Sequence, residues 1–203
     1  MKRRAVFLDR DGTINRDVGY PDSYSLIEIY PYSFDAIRKI NSLGFLAVIV
    51  TNQSGVGRGW IDEQNLLLIH HKMKEAFSLR GARIDGVYYC PHFADSSNPV
   101  YRKNCSCSKP HPGMGEQAAR DLNIDTSKSY MIGDKVEDIQ FGFNIRAIPI
   151  LVRTGFGEAT LPRLRALNIQ PAFVAQNLMD AVNWIHDRER AGPLPQDRSD
   201  DPF

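Results

Sequence analysis

The stretch AVFLDRDGT, residues 5–13, decides the fold, because a short apolar run ends abruptly in acidic and turn-forming residues. Four consecutive apolar residues bounded by such a turn are typical of a strand buried on both faces of a parallel sheet. In open α/β sheets, ligands bind beyond the carboxyl ends of the strands. We therefore expect Asp9 and Asp11 to lie at a sheet edge where a ligand binds.

Similar apolar runs recur along the chain and alternate with longer amphipathic segments. The predicted strands are 4–9, 45–51, 84–90, 129–133 and 147–152. The predicted helices are 33–43, 62–80, 112–122 and 135–143, followed by a weaker pair of elements in 161–187. This alternation predicts an α/β fold with a mainly parallel sheet covered by helices.

Length and composition favour one globular domain without a general affinity for nucleic acid. The chain has 203 residues, an apolar fraction of 42% and a net charge of +1. A single domain is expected over residues 1–187. Residues 188–203 carry three prolines, many charges and little apolar periodicity, so we expect a mobile tail there. The near-neutral charge offers no attraction for nucleic acid or anionic lipid, and we expect neither as a partner.

The sequence also favours a cytoplasmic location. The basic residues 1–4 precede an apolar run of only residues 5–8, which predicts a strand rather than a signal sequence. No apolar stretch approaches the roughly 18 residues that span a bilayer. Three cysteines cannot all pair within one chain, which indicates a reducing compartment.

Polar residues follow three of the predicted strands and should meet at one edge of the sheet. Asp9 and Asp11 follow the first strand, Thr51 closes the second, and Asp134 follows the fourth. Lys109 can reach the same place from a loop. Because the carboxyl ends of parallel strands share an edge, this pattern predicts a single site.

These residue types suit phosphoryl transfer from a monoester. Asp9 can attack phosphorus and form an aspartyl-phosphate, while Asp11 acts as acid and then base. Mg²⁺ would be bound by Asp9, Asp134 and the main-chain carbonyl of Asp11. Thr51 and Lys109 would hold the phosphoryl oxygens. Each signal has a plainer reading, such as a capping turn, acids at a helix N-terminus or a solvated lysine, but their ordered combination favours an enzyme.

The cysteines predict a second metal site. Cys90 and His92 form one pair, Cys105 and Cys107 form another, and twelve residues, 93–104, separate the pairs. Such a Cys3His set can close a tetrahedral, structural zinc site within a zinc loop of residues 90–108. The alternative is three free thiols and a loop histidine.

The ordered motifs resemble those of the haloacid dehalogenase superfamily of phosphatases. The matching residues are Asp9 and Asp11, Thr51, Lys109, and the late pair Asp134 and Asp138. The resemblance covers about residues 5–157 and implies a Rossmann-like, three-layer sandwich with the roles assigned above.

With the paired cysteines, the chain also resembles the D-glycero-D-manno-heptose 1,7-bisphosphate phosphatases and the related histidinol-phosphate phosphatases. The former family implies removal of a sugar 7-phosphate, a minimal cap and a substrate pocket made of loops. We also expect a monomer whose partner is a small sugar phosphate. The residues matching that pocket are Asp17, Val18, Gly19, Tyr20, Asn52, Gln53, Ser54 and Lys135.

One position departs from the heptose family. Ser108 stands where that family has a substrate-recognising arginine, and a hydroxyl cannot form a charged, bidentate contact with phosphate. Recognition of the distal phosphate then falls to Arg58, Arg102 or Lys103, or the substrate is histidinol phosphate. A zinc-stabilised binding domain without turnover is the alternative outside the enzymes. His70 and His71 are interpreted as surface or packing residues.

Overall fold

A computed structural model of the chain describes residues 2–191, in which six parallel strands form one sheet. The strands are β1 (Ala5–Leu8), β2 (Leu46–Asn52), β3 (Gly86–Cys90), β4 (Tyr130–Gly133), β5 (Ile148–Val152) and β6 (Phe173–Ala175). Their order in the sheet is β3-β2-β1-β4-β5-β6. Strands β2 and β3 are added on one side of β1, and β4 to β6 on the other, so the strand order switches between β1 and β4. A switch of this kind opens a crevice at the carboxyl ends of the two strands.

Helices cover both faces of the sheet. They are α1 (Pro31–Ser42), α2 (Ser54–Gly57), α3 (Glu63–Ser78), α4 (Gly113–Asp121), α5 (Val136–Asn144), α6 (Gly157–Ala166) and α7 (Leu178–Ala191). Successive strand residues point to opposite faces. Val6 and Leu8 therefore pack with α1, α3 and α7, whereas Ala5 and Phe7 pack with α4 and α5.

Local sequence signals explain where the helices near the crevice begin. Pro31 occupies the first position of α1, where a missing amide hydrogen costs nothing. The Asp62 side chain caps α3 by accepting from the Gln64 amide at 2.8 Å. At α5 the Asp138 carboxylate accepts from the Lys135 amide at 3.0 Å, which fixes this helix start beside β4.

The predicted three-layer α/β sandwich is confirmed, and all six strands are parallel. Each of the five predicted strands and four predicted helices lies within two residues of its observed bounds. The weaker pair expected in 161–187 is three elements, α6, β6 and α7, because β6 is only three residues long. The long connections 9–30 and 91–112 carry no further strand or α-helix.

The last helix extends further than the sequence indicated. Residues 188–191, predicted as part of the tail, form the end of α7. Glu189 anchors this turn, since it accepts from the Tyr130 hydroxyl at 2.7 Å and pairs with Arg4. The rest of the predicted tail, 192–203, lies outside the described residues. Within residues 2–191, no helix combines the length and apolarity needed to cross a membrane.

Candidate active site

Three charged side chains meet beyond the carboxyl ends of β1 and β4. Asp9 directly follows β1, Asp138 lies in the first turn of α5, and Lys109 comes from the loop between β3 and α4. The Lys109 ammonium donates to Asp9 at 2.7 Å, to Asp138 at 2.5 Å and to the Val50 carbonyl at 2.9 Å. All three charged residues are buried. The structure thus brings the loop lysine to the same sheet edge as Asp9.

Asp134 lies next to this group and is fully buried. Its Oδ2 accepts from the Phe156 amide at 2.7 Å, whereas its Oδ1 is buried without a hydrogen-bond partner. Gly12 and Gly155 enclose it closely: a Cβ at either position would lie 2.2 Å from Asp134 Oδ2. Both glycines also have positive φ, at +84° and +58°, which other residues rarely adopt.

Asp9, Asp134 and Asp138 form what we call the acidic cluster, because they can present oxygens within 4.8 Å of one another. Burial, with repulsion from Asp138, raises the pKa of Asp9 to about 6 although Lys109 acts against it. Burial, with Asp9 and Asp138, raises the pKa of Asp134 to about 8. Burial acts to lower the pKa of Lys109, but Asp138 and Asp9 raise it above its ordinary value. Lys109 and Lys135 are the two lysines that act on these three carboxylates, so the cluster remains short of positive charge. The unpaired oxygen of Asp134 and the all-oxygen donor set fit Mg²⁺.

Asp11 faces a separate group of polar side chains, which we call the Asp11 network: Arg10, Asn15 and Gln53, which donate to its carboxylate, and His70, which contacts Arg10. Arg10 Nε and Nη2 donate to the two carboxylate oxygens of Asp11 at 3.0 and 2.7 Å. Asn15 and Gln53 donate to the same carboxylate at 2.9 and 3.0 Å. Burial acts to raise the pKa of Asp11, but the Arg10 charge and these hydrogen bonds hold it below its ordinary value.

His70 takes the packing role that the sequence allowed for it, and it also has a polar partner. It is buried, and its Nε2 lies 3.2 Å from Nη1 of Arg10. Its neighbour His71 is exposed and pairs with Glu75 at 3.1 Å. The helical spacing of α3 places His70 inward, but no sequence pattern indicated that its partner would be Arg10, sixty residues earlier.

Asn52 and Gln53, predicted as pocket residues, use their side chains largely to hold other site residues. Asn52 Oδ1 accepts from the Lys109 amide at 2.9 Å, and its Nδ2 donates to the Lys109 carbonyl at 3.2 Å. Gln53 Nε2 donates to Thr51 Oγ1 at 2.8 Å as well as to Asp11. Asn52 therefore clasps the Lys109 backbone, and Gln53 connects Thr51 to the Asp11 network.

The remaining predicted pocket residues lie on loops around this centre. The Lys135 ammonium lies 3.2 Å from Asp17, whose other oxygen accepts from the Gly19 amide at 3.0 Å. Val18 and Tyr20 are exposed, and the Tyr20 ring meets the Trp60 ring edge-on at 4.6 Å. These contacts brace the 17–20 loop and leave two apolar side chains facing solvent.

The four predicted zinc ligands converge and are called the Cys-His cluster: Cys90, His92, Cys105 and Cys107. The three sulfur atoms lie 2.8 to 3.3 Å apart as free thiols. Nδ1 of His92 lies 3.1 Å from Cys107 and 3.5 Å from Cys90. A hydrogen bond from Cys107 lowers the pKa of Cys90 to about 5 although burial acts to raise it, and a lowered thiol pKa favours metal binding. This donor set fits a closed tetrahedral zinc site.

Two adjacent cavities flank Lys109. The reaction cavity, about 420 Å³, is lined by Asp9, Asp11, Thr51, Lys109 and Lys135 among others. Phe156 and Arg163 also line it, and no sequence motif pointed to them. The loop cavity, about 400 Å³, shares Asn52 and Lys109 with the first and is otherwise lined by residues that include Ser54, Lys103, Ser108 and His111.

The three cations proposed to replace the missing arginine have different surroundings. Arg58 stacks on the Phe93 ring at 3.7 Å, and Arg102 donates to the carbonyls of Ser96 and Ser97. Lys103 lines the loop cavity and makes no side-chain hydrogen bond or ion pair within residues 2–191. Only Lys103 among the three therefore combines an unpaired charge with a place in the cavity that Ser108 lines.

Comparisons with known proteins agree with this geometry. The HAD-hydrolase-like family model matches residues 106–181. The D-glycero-beta-D-manno-heptose-1,7-bisphosphate 7-phosphatase of Photorhabdus laumondii is 44% identical over 152 residues, covering 74% of this chain and 81% of that protein. The protein of that name from Escherichia coli K12 is 43% identical over 152 residues, covering 74% and 80%.

Solved structures give the same picture. The D,D-heptose 1,7-bisphosphate phosphatase of B. bronchiseptica, complexed with magnesium and phosphate, superposes with a TM-score of 0.80 and 31% identity. The match covers 91% of this chain and 98% of that one. The corresponding phosphatase of Burkholderia thailandensis has a TM-score of 0.68 and 30% identity, covering 92% and 100%.

Proposed function

The chain belongs to the heptose 1,7-bisphosphate 7-phosphatases of the haloacid dehalogenase-like hydrolases, and on that premise we propose its substrate and its catalytic residues. The reaction is hydrolysis of the 7-phosphate of D-glycero-D-manno-heptose 1,7-bisphosphate through an aspartyl-phosphate. One observation carries the proposal: Asp9, Lys109, Asp134 and Asp138 meet in a buried group at the edge of a cavity that Asp11 also lines.

In the first step, an Asp9 carboxylate oxygen attacks phosphorus, and the bond to the sugar oxygen breaks. Lys109 and Thr51 hold the phosphoryl oxygens as their charge shifts. Asp11 is ionised in the free enzyme, so it takes a proton from the bound phosphate monoester monoanion and passes that proton to the leaving sugar oxygen. In the second step, water attacks the phosphorus of the aspartyl-phosphate, Asp11 takes its proton, and Asp9 is released.

Magnesium would be held by Asp9 and Asp134 with the Asp11 main-chain carbonyl, and Asp138 lies close enough to support them. When bound, Mg²⁺ neutralises charge on the phosphate and the carboxylates. The unpaired Oδ1 of Asp134 supports this assignment, because a buried carboxylate oxygen without a partner is costly.

Zinc would be held by the Cys-His cluster and would have a structural role. Four protein ligands leave no position for water or substrate. Because Lys109 follows Cys107 by two residues, zinc in this cluster would fix the loop that carries the lysine.

The loop cavity is the proposed place for the distal 1-phosphate. Its lining includes Lys103, Ser54 and Ser108 but no aspartate or glutamate, whereas the reaction cavity also contains Glu137. A second phosphate therefore meets less repulsion in the loop cavity. Lys103 would supply the charge that Ser108 lacks.

We also propose that residues 1–187, with the rest of α7, act as one catalytic domain, and that this domain is a monomer. The two main core clusters share the same sheet, which supports one folding unit. Size-exclusion chromatography with light scattering checks the monomer.

The function is tested by phosphate release, with magnesium, from the α and β anomers of heptose 1,7-bisphosphate and from histidinol phosphate. The blank is Asp9→Asn, which should reduce turnover by at least about 10³-fold, as expected when a nucleophile is lost. Preference for one heptose anomer supports the proposal. Preference for histidinol phosphate would show that the substrate is that of the related histidinol-phosphate phosphatases. If no ester is hydrolysed faster than in the blank, the chain is not a phosphatase, and the alternative of a binding domain is supported.

The distal-phosphate assignment is tested with Lys103→Met. KM for the bisphosphate should rise by about tenfold to 100-fold, as for loss of a charged hydrogen bond, with KM for heptose 7-phosphate unchanged. Lys72→Met, on the exposed side of α3, is the matched control. If Arg163→Met raises KM selectively and Lys103→Met does not, the distal phosphate lies in the reaction cavity instead.

A further inference from the structure

Arg10 is unusual because its long, permanently charged side chain is completely buried. A buried guanidinium is stable only when its donors are paired. One edge forms the bidentate pair with Asp11, and Nη2 also donates to Gln53 Oε1 at 3.2 Å. The remaining nitrogen, Nη1, lies 3.2 Å from Nε2 of His70.

The chemistry of this contact fixes the state of His70. Arginine has donors only, so Nε2 of His70 must be the acceptor, and the ring must be neutral with its proton on Nδ1. Burial, together with the Arg10 charge, lowers the pKa of His70 to about 3, in keeping with a neutral ring. The ring also packs on Tyr89, with centroids 5.6 Å apart, which limits its rotation.

We propose that His70 is a positioning residue that acts through Arg10 to orient the carboxylate of Asp11 towards the leaving oxygen. His70 pins Nη1, and the planar guanidinium then has one orientation in which its other edge presents Nε and Nη2 to Asp11. This carries the rigidity of α3 to a carboxylate on the turn after β1. The inference rests on the proposed acid role of Asp11.

The test separates orientation of the acid from general packing. His70→Met keeps most of the side-chain volume but removes a good acceptor, whereas His70→Gln can present Oε1 to Arg10 in place of Nε2. His71→Met, on the exposed side of the same helix, is the matched control. Thermal unfolding of all variants is recorded alongside activity.

Two esters with different leaving groups report on Asp11. A sugar oxygen needs a proton as it leaves, whereas p-nitrophenolate leaves readily without one. We measure kcat/KM, which covers only the steps up to transfer of the phosphoryl group to Asp9. Since acid catalysis contributes about 10² to 10⁴-fold, partial misorientation in His70→Met should lower kcat/KM about tenfold for the sugar phosphate and less than about twofold for p-nitrophenyl phosphate. His70→Gln should recover most of the loss.

Asp11→Asn distinguishes failure of this inference from failure of the proposed function. If Asp11→Asn shows the leaving-group dependence but His70→Met lowers both esters equally, or neither, His70 has only a packing role. A loss in His70→Met that His70→Gln does not restore at equal thermal stability leads to the same conclusion. If Asp11→Asn lowers both esters equally, Asp11 is not the acid, and both the proposed step and this inference are wrong.

Discussion

The acidic cluster and the Cys-His cluster both gather metal-ligating groups, but in different surroundings. The acidic cluster stands at the ends of β1 and β4, at the edge of the reaction cavity. The Cys-His cluster joins the end of β3 to a loop of 22 residues, 91–112, that has no strand or α-helix. In the first case the fold holds the ligands, whereas in the second the ligands hold the loop.

This difference predicts opposite costs of an empty site. The acidic cluster concentrates like charges that the rigid sheet keeps together, so loss of its metal should harm chemistry more than folding. The loop has little apolar material of its own, so loss of zinc should harm folding first. Lys109 joins the two regions, because it follows Cys107 closely and its ammonium contacts Asp9.

Asp134→Asn should produce the largest effect on activity with the smallest cost in stability. Losing a magnesium ligand removes several kcal/mol of transition-state stabilisation, or about 10³-fold in rate at 1.36 kcal/mol per tenfold. At pH 8, the melting temperature of the metal-free variant should be no lower than that of the metal-free wild type, because the variant lacks one buried negative charge. Steady-state kinetics and thermal unfolding measure both; a metal-free variant much less stable than the wild type would contradict the comparison.

Cys107→Ser should show the reverse balance. We expect loss of bound zinc, a lower melting temperature and a kcat decrease of about 10 to 100-fold through displacement of Lys109, the size expected when the support of a site residue is lost. Zinc content by elemental analysis, thermal unfolding and kinetics check this. Ser106→Ala, which alters the same loop without a ligand, is the control. If the zinc-free variant has the same melting temperature as the wild type, the 91–112 loop keeps its structure without zinc, and this prediction is wrong.

Asn52→Ala should have a smaller effect that is confined to Lys109. Its side chain makes two hydrogen bonds to the Lys109 backbone, and each is worth about 1 kcal/mol. We expect a kcat decrease of about fivefold to tenfold with zinc content unchanged. If KM rises instead while kcat stays constant, Asn52 contacts substrate directly, as its sequence motif implied.

The smallest effect concerns the pH dependence of stabilisation by magnesium. The pKa of Asp134 is raised from 3.8 to about 8 in the folded chain, so the unfolded chain gives up this proton more readily. The metal-free protein should therefore lose stability as the pH rises from about 4 through about 8. Because magnesium needs the ionised carboxylate, its stabilising effect should be larger at pH 8 than at pH 6, with each kcal/mol raising the melting temperature by about 2–4 °C. In Asp134→Asn this difference should largely vanish.

The sequence predicted the strands and the residues at their ends because hydrophobic runs and their breaks are local signals. It missed β6, since three residues are too few to show a period. It also missed the partner of His70 and the internal roles of Asn52 and Gln53. Periodicity shows that a polar side chain points inward, but which distant group it meets depends on packing.

The glycines around Asp134 determine which sequence changes this protein can accept during evolution. At Gly19 and Gly44 no atom lies within 4 Å of an added Cβ, so a residue that tolerates positive φ, such as asparagine, should be accepted there. At Gly12 and Gly155 even alanine would strike the Asp134 carboxylate. A saturation library selected for activity should therefore return glycine alone at these two positions, which leaves the lineage no neutral path away from them.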